Sequence, residues 1–145
     1  MNLFRNTLLF FLIIIINISS INFFNNKASS SEIDNLDQLE ICSNKRNCVF
    51  DIWHLENLDY NFKQLIEILN NTPRVKILEQ NEDYIYAIST SRVFNFVDDI
   101  QIKKIKDKKS IQIKSKSRVN MFDFGVNKRR VDTLRFRLID IYKLD

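Results

Sequence analysis

The 145-residue chain is 45% hydrophobic and 28% charged with a formal net charge of +4, which leaves room for one compact core but not for a second domain. One Gly and one Pro in the whole chain exclude long flexible linkers and low-complexity tails. Residues 31–100 hold six Lys/Arg against thirteen Asp/Glu, whereas 101–145 hold fourteen against five. We expect these halves to pack together and neutralise each other rather than to build a nucleic-acid surface, for which no motif is present.

Residues 1–30 read as a signal peptide or membrane anchor. Arg5 is followed by an unbroken apolar run from Leu8 to Ile16, the order of a charged n-region and an apolar h-region. Asn17, Ser19, Ser20 and Asn22 interrupt the run before it reaches the roughly 20 apolar residues of a spanning helix. Ala28-Ser29-Ser30 offers small residues for cleavage before Ser31, and Ile18-Ser19-Ser20 is a poorer alternative. If Ile18, Ile21, Phe23 and Phe24 prolong the helix, the segment stays as an anchor and residues 8–24 hold the protein at a membrane. Cys42 is not a lipidation site, because Ile41 before it is not small and it lies far beyond the apolar run.

Residues 31–41 form a polar, acidic lead-in, and 42–145 are expected to form a single α+β domain. Cys42 and Cys48 bracket Ser-Asn-Lys-Arg-Asn, a turn-forming stretch. Leu58, Phe62, Leu65, Ile66 and Leu69 recur at helical spacing and predict a helix over 58–70, closed by Thr72-Pro73, with Asn61, Lys63, Gln64 and Glu67 on its polar face. From Arg74 onward the period shifts to two. Val75 and Ile77 begin a strand, and Asn81-Glu82-Asp83 turns it. Tyr84, Tyr86 and Ile88 alternate in a second that runs on through 93–97. Asp98-Asp99 opens a third with Ile100 and Ile102. Asp107-Lys108-Lys109 turns into a fourth with Ile111 and Ile113. The step from Ile102 to Ile105 breaks alternation and predicts a bulge near Lys103-Lys104.

Val131, Leu134, Leu138 and Ile141 form one stripe of a final helix over 128–143, with Asn127 as N-cap and Val126 and Val131 spaced as a hydrophobic staple. The order of helix, four strands and helix predicts a two-layer α+β sandwich. Its four-stranded antiparallel sheet carries the N-terminal and C-terminal helices on one face and is wetter on the other.

Few residues are arranged for chemistry. The two cysteines, Cys42 and Cys48, are expected to form a disulfide in an exported protein, ahead of free thiols or a metal site with His54 and a carboxylate. The last has a spacing that matches no common zinc pattern. His54 is the single histidine, which removes most acid/base designs. Asp98 and Asp99 are neighbours on a strand and therefore point to opposite faces, so they cannot jointly flank one bond. The chain has no Gly-rich phosphate loop, no Gly-x-Ser-x-Gly elbow and no His-Glu-x-x-His. No metal or cofactor is expected.

The most distinctive stretch runs from Ser115 to Arg130. By alternation Ser115 and Ser117 share the face of Ile111 and Ile113, while Lys114, Lys116 and Arg118 share the other. The only Gly, Gly125, precedes a helix start flanked by Arg129 and Arg130, and a helix N-terminus attracts anions. A competing reading has Asp123 tied to Arg118 or Arg130, with Gly125 supplying only an unusual backbone angle.

Four motifs together resemble the bacterial and plastid family known as domain of unknown function 1499. They are Cys42 to Val49 (CSNKRNCV), Tyr84 to Ala87, Phe96-Val97-Asp98-Asp99, and Ser115-x-Ser117-Arg118 followed by Asp123-x-Gly125-x-Asn127-x-x-Arg130. The departures are local: Arg46 replaces the usual Pro, Phe50-Asp51 replaces a Ser pair, and Asn120 replaces a Gly. The resemblance implies a small exported or membrane-anchored protein of periplasm or thylakoid lumen, and it brings no established activity.

The expectation is thus a non-enzymatic exported domain that binds a protein partner or a small anionic ligand near a membrane. Its candidate ligand site or structural hub is Ser115, Ser117, Arg118, Asp123, Gly125, Asn127, Arg129 and Arg130. The alternative is a hydrolase-like enzyme of unrecognised type using Asp98, Asp99, Asp123 and Arg118. A pocket that unites these carboxylates would favour the enzyme, and scattered, paired charges would favour the binder.

Overall fold

A computed structural model describes residues 38–142. The expectations for a signal or anchor over 1–30, and for most of the lead-in over 31–41, fall on residues outside that range. No helix among the described residues is long and apolar enough to cross a membrane.

In chain order the elements are β1 (Cys48–His54), α1 (Leu58–Asn70), β2 (Val75–Gln80), β3 (Tyr84–Thr90), β4 (Val97–Ile105), β5 (Ser110–Ser117) and α2 (Val126–Tyr142). The strands form one antiparallel sheet in the order β1-β5-β4-β3-β2. The α+β class stands, but the sheet has five strands where the sequence predicts four. The additional strand, β1, pairs with β5 along its whole length, from Cys48 opposite Lys116 to His54 opposite Ser110. Its alternation was masked because Asp51 occupies a position on the same face as Val49 and Trp53. There Asp51 accepts a hydrogen bond from Trp53 Nε1 at 2.8 Å and lies 3.7 Å from Arg135 of α2.

Register defines two faces. Trp53 of β1, Ile111 and Ile113 of β5, Ile100 and Ile102 of β4, and Ile85 and Ala87 of β3 form one buried cluster with Phe62, Leu65 and Leu69 of α1 and Val131, Leu134 and Leu138 of α2. This core side supplies most of the hydrophobic stabilisation, at about 25 cal/mol per Å² of apolar surface removed from water. The residues between them, Lys114 and Lys116 of β5, Asp99 and Gln101 of β4, and Tyr84 and Tyr86 of β3, point to the outer side.

Several local expectations are corrected. β3 ends at Thr90 and a turn occupies 91–96, where Asn95 adopts φ 54° and Ser91 Oγ accepts from Phe96 N at 2.9 Å. The apolar run at 93–97 is therefore a loop followed by the first residue of β4. No bulge lies at Lys103-Lys104: the β4–β5 register is continuous, and Lys104 fills a core-side position. Its ammonium reaches Asp59 and Asp83 and lies 5.1 Å from the Phe62 ring centre. The irregularity lies between Ile77 and Glu79 of β2. Helix α1 has the predicted bounds, but Asn61 is buried rather than on the polar face, its amide donating to Asn57 O.

The predicted neutralisation is met pair by pair. Asp98–Arg130, Asp99–Arg118, Asp59–Lys104, Asp83–Lys106 and Asp51–Arg135 each join the acidic half to the basic half. Cys42 and Cys48 are joined in a disulfide, with Cα atoms 5.8 Å apart, and there are no free cysteines. Closing so short a loop stabilises by roughly 2 kcal/mol in the chain-entropy model. Urea unfolding of Cys42→Ser should show that loss, and an unchanged midpoint would mean that the loop is held by its hydrogen bonds alone.

Candidate functional site

The stretch from Ser115 to Arg130 divides between the two faces. On the core side, Arg130 donates from Nη2 to Asp98 Oδ2 at 2.7 Å and from Nη1 to Ser115 Oγ at 2.9 Å and Asn127 Oδ1 at 2.7 Å. Ser115 Oγ donates to Asn127 Oδ1 at 2.6 Å. The Asn127 amide then donates to Asn47 O and to Asp123 Oδ2. Ser115 and Asn127 are fully buried, and the Asp98 and Arg130 side chains are 9% and 15% exposed. This network ties together β4, β5, α2 and the loop before β1. A buried, fully satisfied network is rigid, whereas loss of one member strands its partners.

Asp123 occupies the anion position at the start of α2. It accepts from Gly125 N and Asn127 N, each at 2.9 Å, so it caps the helix in place of Asn127, which lies within the first turn. Val126, the expected staple residue, is exposed. Burial opposes the charge on Asp123, but the N–H groups of Asn127 and Gly125 hold its carboxyl below the usual range. Phe124 and Gly125 both have positive φ, 52° and 75°, which explains a glycine at 125. Asn120, where the resemblance expects Gly, is not among the residues with positive φ, so the replacement carries no backbone strain. Arg129 turns back to donate to Phe124 O at 2.9 Å.

Arg118 belongs to the outer side and pairs with neither Asp123 nor the helix start. Its guanidinium donates to Asp99 at 2.8 and 3.0 Å and to the Tyr86 hydroxyl at 3.0 Å, and Tyr86 itself donates to Asp99 Oδ1 at 2.7 Å. Burial works against the Asp99 charge, but Arg118 and Tyr86 outweigh it and keep the carboxyl low. The same carboxylate pushes the Tyr86 phenol up. Beside this triad Tyr84, Tyr86, Asp99, Gln101, Lys114 and Lys116 line a recess of about 240 Å³. Gln101 Nε2 donates to the Tyr84 hydroxyl at 3.0 Å, and Lys114 lies 3.5 Å from Glu40. The described lead-in follows β5 here, with Leu39 N donating to Gln112 Oε1 at 2.8 Å. A wider groove of about 600 Å³, lined partly by Asp59, Phe62, Glu82 and Lys104, is a weaker candidate because its buried lysine is already committed to two carboxylates.

The chain matches the model of the family described as Protein of unknown function (DUF1499) over residues 25–138. The chain belongs to this family. No curated protein matches it.

The family resemblance read in the sequence can now be placed residue by residue. Ser115, Asp123, Asn127 and Arg130, with Asp98, converge in the inner network. Ser117 is buried at the end of β5, donating its N–H to Asn47 O and accepting weakly from Val119 N at 3.4 Å. Arg118 and Asp99 meet on the outer side, and Gly125 and Arg129 shape the entry to α2. The three carboxylates Asp98, Asp99 and Asp123 do not share a pocket: each is engaged by a different partner. Reading by sequence missed Tyr84, Tyr86, Gln101 and Lys114 as members of one recess. The signal was the alternation in three strands, but it aligns them only once the register is known.

Proposed function

We propose that this chain is an exported, non-enzymatic binding domain that holds a small anionic ligand, or an acidic group of a partner protein, on the outer side of its sheet. The helices pack against the core side, and on the outer side the lead-in at Leu39 and Glu40 covers Gln112 and Lys114 while Lys116 stays exposed. The observation that carries the reading is Lys114 and Lys116 on one row of β5, beside the tyrosine-lined recess, with a carboxylate of the chain's own Glu40 already drawn to Lys114. The volume suits a small anion, since drug-sized ligands occupy roughly 300–1,000 Å³. The Tyr84 hydroxyl and the second N–H of the Gln101 amide supply orienting hydrogen bonds beside the ammonium groups, whereas the Tyr86 proton is already given to Asp99. The enzyme reading is disfavoured because Asp98 and Asp99 each serve an arginine and Asp123 serves a helix terminus.

Amide chemical shifts recorded while the chain is titrated with phosphate test the reading. Movements should centre on Gln101, Lys114 and Lys116 and vanish in Lys114→Gln/Lys116→Gln, whose melting temperature should stay near that of the parent. Shifts confined to 125–130 would place the anion at the helix start instead, and absence of any shift would remove the ligand reading. The compartment has its own test. Residues 1–30 fused to a reporter active only after export should give signal, and an intact but silent fusion would overturn it.

A further inference from the structure

Three loops meet at one end of the sheet: the Cys42–Cys48 loop before β1, residues 91–96 between β3 and β4, and 118–125 between β5 and α2. The first and third are tied where Asp123 N donates to Arg46 O at 3.3 Å and Asn47 Nδ2 to Val119 O at 3.0 Å, and Arg118 N donates at 3.1 Å to O of Val97, the first residue of β4 after the second loop. From these loops Val93, Phe94, Phe96, Met121, Phe122 and Phe124 project into solvent, Phe94 at 71% and Phe124 at 76% exposure. Phe94 stacks on Phe96 and Phe122 meets Phe124 edge-on, with ring centres 5.3 and 5.2 Å apart. Phe124 is held at φ 52°, a strained angle for a bulky residue and one that tends to persist where function requires it. Singly exposed apolar residues are ordinary, but a concentration of them at one end marks an interaction site.

The charge around them is one-sided. Lys45, Arg46, Arg92 and Arg129 are exposed on or beside the three loops, and the single acid within them, Asp123, spends its oxygens on the start of α2. We propose that this end of the domain docks on an anionic lipid bilayer, with Phe94, Met121, Phe122 and Phe124 entering the boundary between headgroups and acyl chains and the four basic residues meeting lipid phosphates. Apolar tips ringed by Lys/Arg are what an anionic interface selects. A second copy of the chain is the wrong occupant, because joining two such ends would bring like charges together. The proposal uses no residue of the recess and stands or falls apart from the ligand reading.

The test uses the full chain with an indole placed at the loop tip, Phe94→Trp or Phe122→Trp, against the buried Trp53 as background. On phosphatidylglycerol vesicles the introduced indole should shift to the blue and be quenched by brominated acyl chains. The readout is local to the loop, so attachment of the chain through residues 8–24 does not imitate it. Phe136→Trp is the control: Phe136 is also exposed but lies about 15 Å along α2 from its start, and its indole should stay in water. Lys45→Gln and Arg92→Gln should each weaken the loop signal about five-fold, the effect of roughly 1 kcal/mol per basic residue at such a surface. No shift at either loop tip, or an equal shift at position 136, would overturn the proposal. So would a shift that appears without vesicles and grows with protein concentration, which would identify self-association instead.

Discussion

Arg130→Ala should cost the fold about 3–5 kcal/mol, the usual result of removing one member of a buried ion pair and stranding the other. Asp98 would be left on the core side without its closest cation, and Ser115 and Asn127 would lose a shared donor. Against a typical domain stability of about 5–15 kcal/mol, the variant should be near the edge of folding. Arg118→Ala is the comparison, because its side chain is 49% exposed and an exposed pair contributes about 1 kcal/mol or less. Urea midpoints should therefore fall far more for position 130 than for position 118. If Arg130→Ala is too unstable to measure, Ser115→Ala should show an intermediate loss of about 1–2 kcal/mol. Equal, small losses at 118 and 130 would mean that the inner network does not hold the fold.

Asp123→Ala should remove about 3 kcal/mol, the upper range of a helix cap with a further donor left unpaired. Two backbone N–H groups and the Asn127 amide lose their acceptor together. The pH dependence carries a sign. The carboxyl is held below its unfolded range, so its contribution is fully present above about pH 4 and is lost as pH falls through the lower, folded value. The gap between parent and Asp123→Ala should be widest at about pH 7 and narrow at about pH 3. Asp99 is shifted in the same direction but stays in both proteins and cancels in the difference. A gap independent of pH would show that the aspartate acts by shape rather than charge.

The strands of the meander, α1 and the stripe of α2 were legible because their apolar residues keep a clean period. β1 was not, since Asp51 stands on the face of Val49 and Trp53 and is satisfied only by an indole and by an arginine far along the chain. Lys104 hid the regular end of β4 in the same way, as a cation at a core-side position whose two carboxylates come from α1 and the β2–β3 turn. The candidate site was half legible. Alternation placed Ser115 and Lys116 on opposite faces correctly, yet sequence proximity suggested Asp123 as the partner of Arg118 or Arg130. The sheet instead delivers Asp98 to Arg130 and Asp99 to Arg118 from residues 32 and 19 positions away. Pairing at that range follows from strand order, which local periodicity does not contain.

The central claim is a division of labour, with the inward residues of the Ser115–Arg130 stretch holding the fold and the outward lysines of β5 binding an anion. One measurement reads both: thermal unfolding across a phosphate titration for the parent, Ser115→Ala and Lys114→Gln/Lys116→Gln. The account predicts that Ser115→Ala melts lower but gains stability with phosphate as the parent does. The double lysine variant should melt like the parent and gain nothing. A phosphate response that survives the loss of both lysines, or disappears with Ser115→Ala while that variant remains folded, would contradict it.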